Sequence, residues 1–210
     1  MLALEKHLSL NFNCHKFNFS GHGGQPFNGG AFGIEYFAKE LDEFIKERGL
    51  AQPHVFGYSM GGYVALYLAL QKPNLMGKII TYGTKFGWSP EVAEEEVKRL
   101  NPELILAKVP QFAAHLEKQH GEQWQELVWQ TAGMMMELGE TPLLTVDTLH
   151  SIPNEVLVLR GSKDEMVNAV ESKWAVAHLA NGHFKELDKQ AHPIEKISLL
   201  DIKAILSSPL

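Results

Sequence analysis

A serine between glycines is the first part of the sequence that could do chemistry. Gly57-Tyr58-Ser59-Met60-Gly61 matches G-x-S-x-G, a pattern in which small neighbours permit a sharp strand-to-helix turn that exposes the serine hydroxyl. VF before the pattern is typical of a strand, and YVALYLAL after it is typical of a helix. We therefore predict that Ser59 is a nucleophile on such a turn, with a structural glycine turn as the alternative.

A serine hydroxyl is a weak nucleophile, so it needs a histidine to take its proton and an acid to orient that histidine. Asp164 follows the apolar run VLVL, and His192 follows HFKEL and precedes the last predicted helix. Ser, Asp, His is an order along the chain in which such groups occur. We predict a triad of Ser59, Asp164 and His192, with the backbone N–H of Met60 donating to the oxyanion.

Plainer interpretations of the two partners stay open. Asp164 could be an ordinary exposed loop acid beside a second carboxylate, Glu165, and His192 could simply lie near a helix start. No H-E-x-x-H or comparable spacing of metal ligands occurs in the sequence. We therefore predict no catalytic metal and no cofactor.

Alternating strand and helix patterns must position these side chains. Phe17 and Phe19 alternate with polar neighbours in residues 15–20, which predicts a strand followed by a turn-rich loop. Apolar residues at three- and four-residue spacing predict a helix over residues 33–49. Further strands are predicted just before Ser59 and at GKIITYGT, EVLVL and HFKEL, and further helices after Ser59 and at residues 170–179 and 194–206.

This alternation predicts an α/β fold, a mainly parallel sheet with flanking helices, because each parallel connection must return along the sheet before the next strand. One stretch interrupts the rhythm. Ser89 with Pro90, and Asn101 with Pro102, are typical helix starts, and no strand-like run follows them. We predict a single domain over residues 1–210 with a helical cap insertion at about 88–141.

Composition and charge exclude several classes of partner. The 210 residues are 45% hydrophobic and 21% charged, as in globular proteins, and their net charge of -6 disfavours nucleic acid and anionic lipid surfaces. No apolar run approaches the roughly 20 residues that cross a membrane. The segment MLALEKHLSL is too polar for a signal peptide, and Cys14 is the single cysteine, so we predict a cytoplasmic location.

The chain resembles the α/β-hydrolase superfamily, in particular its small capped bacterial serine hydrolases. GYSMGG is similar to the family's nucleophile turn, GSKDEMV to its acid loop and AHPIE to its catalytic histidine loop. SGHGG is similar to a turn that is usually D-x-x-G-H-G, with Asn18 and Ser20 in place of the usual Asp and Pro. The resemblance covers nearly the whole chain and implies the roles above for Ser59, Asp164 and His192.

The resemblance also implies strands ahead of the matching part, one of which ends in an H-G-type loop that donates to the oxyanion. MLALEKHL is similar to the helix after that loop, so we expect the sequence to start within the fold, without a central strand. Loss of one oxyanion donor typically costs about 10²- to 10³-fold in rate. Three explanations stay open: an incomplete sequence, which we favour, a sheet completed by a partner or swapped strand, and a naturally short relative.

Four side chains are candidates for substrate contact. Tyr58 adjoins the predicted nucleophile, and His22 lies in the turn-rich loop. Trp124 and Met135 belong to a stripe of apolar residues at helical spacing within the insertion. Core packing is the plainer interpretation of this stripe, and an adaptable apolar pocket is the alternative.

The sequence therefore predicts a serine hydrolase that cleaves a carboxylic ester or thioester of a small molecule through an acyl-enzyme on Ser59. A C–C bond hydrolase or lyase of the same fold is an alternative, because the triad does not separate these reactions. A non-catalytic binding protein that has lost the oxyanion loop is a further alternative. The sequence leaves open whether the chain forms a homo-oligomer.

Overall fold

Two units, each assembled from separate segments, make up the structure, a computed structural model that describes residues 5–6, 8–29 and 32–197. The first unit comprises Met1–Lys16, Gly49–Phe86 and Val146–Leu210, and the second comprises Phe17–Arg48 and Gly87–Thr145. Each unit therefore joins parts of the chain that are distant in sequence.

The first unit is organised around a parallel sheet. Its strands are β1 Val55–Tyr58, β2 Ile79–Tyr82, β3 Val156–Gly161 and β4 Gly182–Leu187, arranged in space in the order of the chain. Because the strands are parallel, their carboxyl ends meet at one edge of the sheet. The register pairs Tyr58 with Tyr82, and Tyr82 with Leu159, so the loops that follow these strands start side by side.

Helices connect the strands and build the second unit. They are α1 Ile34–Glu47, α2 Met60–Gln71, α3 Pro90–Val97, α4 Pro102–Lys108, α5 Pro110–His120, α6 Trp124–Glu140, α7 Val146–His150 and α8 Ala169–His178, followed by the 3₁₀ turn Ile194–Lys196. Within the described ranges, none of these helices has both the length and the apolar character to cross a bilayer. Strands and helices alternate through the first unit, which confirms the predicted α/β class.

The core of the first unit lies along the two middle strands. All of β2 and the first four residues of β3 are buried, because helices and loops cover both faces of a parallel sheet. One cluster joins the sheet to the segment after His192: Ile80, Tyr82, Leu157, Leu159, Leu187, Ile194 and Ile197. The loop that carries His192 is therefore anchored in the core on its carboxyl side.

In the second unit, the predicted helix starts of the insertion are confirmed. The side chain of Ser89 accepts the backbone N–H of Val92, and that of Asn101 accepts the N–H of Leu104; such caps satisfy amides that lack an intrahelical partner. The four helices α3 to α6 follow one another with no strand between them. The insertion is therefore helical, as its prolines and capping residues indicate.

The strand predicted for residues 15–20 is wrong, because this segment forms no strand. It is irregular, and its two aromatic side chains pack on α1: Phe17 stacks on Phe44 with ring centroids 4.6 Å apart, and Phe19 lies 4.9 Å from Phe37. The alternating pattern places the two rings on one side of an extended chain. A strand also needs a neighbouring strand to hydrogen-bond with, and the pattern does not supply one. Of the helix predicted at 194–206, the structure shows the 3₁₀ turn Ile194–Lys196, and residues 198–206 lie outside the described part.

Candidate active site

Ser59 occupies the turn between β1 and α2 in a strained backbone conformation. Its φ of 51° and ψ of -119° lie outside the regions that L residues prefer. Hydrogen bonds hold the turn: the N–H of Ser59 donates to the carbonyl of Tyr82 at 2.8 Å, and its carbonyl accepts the Thr84 hydroxyl at 2.8 Å. A strained residue persists only where its surroundings fix it in this way, as at many reactive sites.

The glycines around Ser59 are needed for space. A Cβ atom on Gly57 would lie 2.5 Å from the backbone of Gly62, and one on Gly62 would collide with the side chain of Thr84. The first turn of α2 can therefore approach β1 and the loop after β2 only because both positions lack a side chain. This explains in physical terms why the pattern predicts a nucleophile turn.

Asp164 and His192 form a hydrogen-bonded pair. The Nδ1–H of His192 donates to Oδ2 of Asp164 at 2.8 Å, and the carboxylate is fully buried. Its other oxygen, Oδ1, accepts the backbone N–H groups of Met166 at 2.9 Å and Val167 at 3.0 Å. Burial acts to raise the pKa of Asp164, but the hydrogen bonds from His192 and from these two amides outweigh it and hold the pKa below its usual value. The acid is therefore ionised at neutral pH.

The loop after β2 contacts both the turn at Ser59 and the acid–histidine pair. Tyr82 and Thr84 hold the backbone of Ser59, whereas a Cβ atom on Gly83 between them would lie 3.0 Å from the ring of His192 and 3.3 Å from Asp164 Oδ2. All three predicted residues therefore lie at the carboxyl edge of the sheet. With Nδ1 of His192 engaged by Asp164, Nε2 is the ring nitrogen that could accept a proton.

Met60 begins α2 directly after Ser59. The first N–H groups of a helix lack carbonyl partners within it and carry the positive end of its dipole. The backbone N–H of Met60 could therefore donate to an oxyanion formed at Ser59, as we predict from the sequence. In the described ranges, no group of three or more His, Cys, Asp or Glu is arranged to hold a metal ion.

Tyr58, a predicted substrate contact, lies against the histidine of the pair. Its ring centroid is 5.4 Å from that of His192 and 6.1 Å from that of Tyr82. Burial raises the pKa of Tyr58 to about 12, so its hydroxyl stays protonated at neutral pH. The structure thus gives Tyr58 a contact with His192 that the sequence did not indicate.

The other three predicted substrate contacts belong to the second unit. Trp124 exposes 5% of its surface and packs in a cluster with Ile105, Ala113 and Val128, whereas Met135 is half-buried on α6. The ring of His22 lies among aromatic side chains, and its Nδ1–H donates to the carbonyl of Ser20 at 3.1 Å. Burial lowers the pKa of His22, although the Ser20 carbonyl and Glu40 oppose this effect. Substrate contact by these residues stays a prediction.

We expect His22 to make the protein less stable in acid. A pKa lowered by folding means that the unfolded chain binds more protons, so stability is full above the unfolded-state value of about 6.5 and falls as the pH drops below it. Between pH 7.5 and 5.0, the Tm of wild type should therefore fall more than that of His22→Phe. His150→Gln, which changes an exposed histidine, is the matched control and should behave like wild type. An equal acid shift in wild type and His22→Phe would contradict this prediction.

Arg160, at the end of β3, is a residue that the sequence reasoning missed. Its guanidinium donates to the carbonyl of Val167 at 2.7 Å and to that of Asp164 at 3.0 Å, and it pairs with Glu186 at 2.6 Å. It therefore holds both ends of the acid loop. An arginine after an apolar strand was the only signal, because these partners are set by the fold of the loop.

We expect Arg160→Met to lower the free energy of unfolding by about 2 to 3 kcal/mol, since two loop carbonyls lose a charged donor. Thermal or urea denaturation measures this change. Glu186→Gln removes only the ion pair, whose carboxylate is 42% exposed, and should cost less than about 1 kcal/mol. If the two variants are equally destabilised, the carbonyl contacts of Arg160 do not hold the loop.

Comparison with known proteins gives consistent results. A family model described as the alpha/beta hydrolase fold matches residues 3–194. RutD of Caulobacter segnis, a protein proposed to be a carbamate hydrolase, is 26% identical over 182 residues, which cover 78% of this chain and 67% of the relative.

Two solved structures are similar in fold. The enol-lactonase from Burkholderia xenovorans LB400 has a TM-score of 0.75 at 17% identity, covering 98% of this chain and 85% of that chain. The thermophilic esterase from Thermogutta terrifontis has a TM-score of 0.73 at 19% identity, covering 98% and 82%. At these identities, the likeness concerns the fold alone.

Proposed function

We propose that this chain, which belongs to the alpha/beta hydrolase family, is a serine hydrolase that cleaves a carboxylic ester or thioester of a small molecule through an acyl-enzyme on Ser59. One observation carries the proposal. The buried, ionised Asp164 holds His192 by a 2.8 Å hydrogen bond at the sheet edge where Ser59 occupies its strained turn. This arrangement suits a histidine that takes a proton from a serine hydroxyl.

In the proposed reaction, Oγ of Ser59 attacks the acyl carbon while Nε2 of His192 takes the hydroxyl proton. The backbone N–H of Met60 donates to the oxyanion of the tetrahedral intermediate. The bond from the acyl carbon to the leaving oxygen or sulfur then breaks, and His192 returns the proton to the leaving group. A water molecule, deprotonated by His192, then attacks the acyl-enzyme. The bond from the acyl carbon to Oγ breaks, His192 returns the proton to Oγ, and the acid is released, with Asp164 ionised throughout.

Carbamates are a second substrate class for the same steps, favoured by the 26% identity to a protein proposed to be a carbamate hydrolase. A carbamate presents an acyl carbon between oxygen and nitrogen, so attack by Ser59 would form a carbamoyl-enzyme. A C–C bond hydrolase or lyase is the alternative that the triad itself does not separate from these. Comparing p-nitrophenyl acetate, an acyl thioester and a carbamate of equal acyl size would rank the classes.

Labelling with a fluorophosphonate tests the proposal directly. The reagent phosphonylates activated serines, so we expect mass spectrometry to place the adduct on Ser59 in wild type and on no residue in Ser59→Ala. Ser89→Ala, which changes an N-cap serine far along the chain, is a matched control and should label like wild type. Hydrolysis of p-nitrophenyl acetate no faster by wild type than by Ser59→Ala would instead favour a non-catalytic binding protein.

A further inference from the structure

Two tyrosines at paired positions of the sheet contact the loop that carries His192. Tyr58 ends β1 and Tyr82 ends β2, and the strand register places them side by side with ring centroids 6.1 Å apart. The side chain of Tyr82 has no solvent exposure, whereas Tyr58 is half-buried. Tyr82 belongs to the cluster that contains Ile194 and Ile197, and Tyr58 packs against this cluster. The last residues of β1 and β2 thus pack against the loop that carries His192.

Tyr82 connects the serine turn to the histidine loop. Its carbonyl accepts the N–H of Ser59 at 2.8 Å. Its hydroxyl donates to the carbonyl of Ala191, which directly precedes His192 and lies 109 residues further along the chain. Tyr82 therefore makes hydrogen bonds to the backbone of Ser59 and to the backbone of the residue before His192. It does not contact the hydroxyl of Ser59 or the Nε2 atom of His192.

Tyr58 supports the same loop on the other side of His192. Its ring contacts the imidazole at a centroid distance of 5.4 Å and packs against the cluster that contains Ile194. The hydroxyl of Tyr82 therefore holds the backbone before His192, and the ring of Tyr58 packs against the imidazole itself. Burial raises the pKa of each tyrosine to about 12, so both hydroxyls keep their protons at any pH at which a histidine base works.

Packing alone does not explain the hydroxyl of Tyr82, because a phenylalanine would fill nearly the same volume. Burying a hydroxyl is costly unless it is hydrogen-bonded, and the partner that Tyr82 has found is the carbonyl of Ala191. On the neighbouring residue, Thr81, the buried hydroxyl oxygen has no hydrogen-bond partner in the described ranges. Two adjacent buried hydroxyls on β2 thus differ in whether they touch the histidine loop.

We propose that Tyr82, assisted by Tyr58, is a positioning residue that sets the approach of His192 to Ser59 by tying the histidine loop to the serine turn. The inference rests on the proposed function, because it concerns the geometry of that triad. Proton transfer between Oγ of Ser59 and Nε2 of His192 requires hydrogen-bond reach. A loop free to shift by about 1 Å would therefore lower kcat more than it weakens substrate binding.

The test compares Tyr82→Phe with Thr81→Val, each of which removes one buried hydroxyl from β2. We expect Tyr82→Phe to lower kcat about tenfold with KM within twofold of wild type, and Thr81→Val to leave both unchanged. Tyr58→Leu, which removes the ring that packs against the imidazole, should lower kcat about threefold. Amide hydrogen exchange at residues 191–194 should become faster in Tyr82→Phe and stay as in wild type in Thr81→Val.

These measurements separate the inference from the function on which it rests. If wild type turns over and Ser59→Ala does not, but Tyr82→Phe keeps its kcat and its exchange rates, the inference is wrong and the proposed function stands. If no turnover depends on Ser59, the proposed function fails, and the exchange rates still decide whether the hydroxyl holds the loop. Should Tyr82→Phe fail to fold, an unchanged kcat in Tyr58→Leu would overturn the inference.

Discussion

Replacing His192 with alanine is expected to lower kcat for ester hydrolysis by about 10⁴- to 10⁶-fold, because the serine loses the base that takes its proton. His192 lies against Gly83, between the two residues that hydrogen-bond to Ser59, and has its Nδ1–H engaged by Asp164. Steady-state kinetics with p-nitrophenyl acetate measures the loss. His183→Ala changes an exposed histidine on β4 and is the matched control, expected to stay within about twofold of wild type.

A double variant makes this prediction more specific. When two residues act in the same chemical step, removing either one already abolishes that step, so removing the second costs nothing more. The double variant Ser59→Ala with His192→Ala should therefore be no slower than either single variant. Independent contributions would instead multiply. Rate losses that multiply in the double variant, or a residual rate in His192→Ala above one-tenth of wild type, would contradict a joint role of these two side chains.

Asp164→Asn is expected to lower kcat by about 10⁴-fold without unfolding the protein. An asparagine can keep a hydrogen bond to Nδ1 but favours the wrong histidine tautomer and no longer stabilises the imidazolium. Kinetics together with near-UV circular dichroism would separate loss of rate from loss of fold. Glu165→Gln changes the exposed neighbouring carboxylate, and an equally large loss in that variant would reassign the acid.

The pKa of Asp164 also predicts a pH dependence. Since the pKa is held below its usual value, the stability that this carboxylate contributes is present above the unfolded-state value of about 3.9 and is lost as the pH falls through the lower folded-state value. Acid unfolding of wild type should therefore begin below about pH 4 through this group. Asp164→Asn should show no such contribution, which a comparison of the two acid unfolding curves would test.

The candidate site residues Ser59, Asp164 and His192 could be selected from the sequence because their signals are local. The turn at Ser59 follows from glycines within three residues of it, and a Cβ atom at Gly57 or Gly62 would collide with its surroundings. Asp164 and His192 each follow a strand, and parallel strands place such positions at one edge. Residue types and their spacing thus predict which loops meet at the carboxyl edge of the sheet.

The roles of Arg160, Tyr58 and Tyr82 could not be predicted in this way. The hydroxyl of Tyr82 meets a carbonyl 109 residues away, and which side chain lies opposite a given carbonyl depends on sheet register and loop path. In the same way, the alternation in residues 15–20 does not identify α1 as the element on which Phe17 and Phe19 pack. The strand prediction failed because a strand requires a neighbour that a local pattern cannot supply.

The sequence by itself determined the α/β class, the helical character of the insertion, and the serine, acid and histidine whose chemistry can be combined. These depend on backbone preferences and on spacings of a few residues, which act within a short segment. Only the tertiary structure decided that Asp164 bonds to His192, that Arg160 holds the acid loop, and that Tyr82 joins the turn at Ser59 to the loop of His192. Those contacts depend on atoms brought together by long-range packing, because hydrogen bonds are specific to within a few tenths of an ångström.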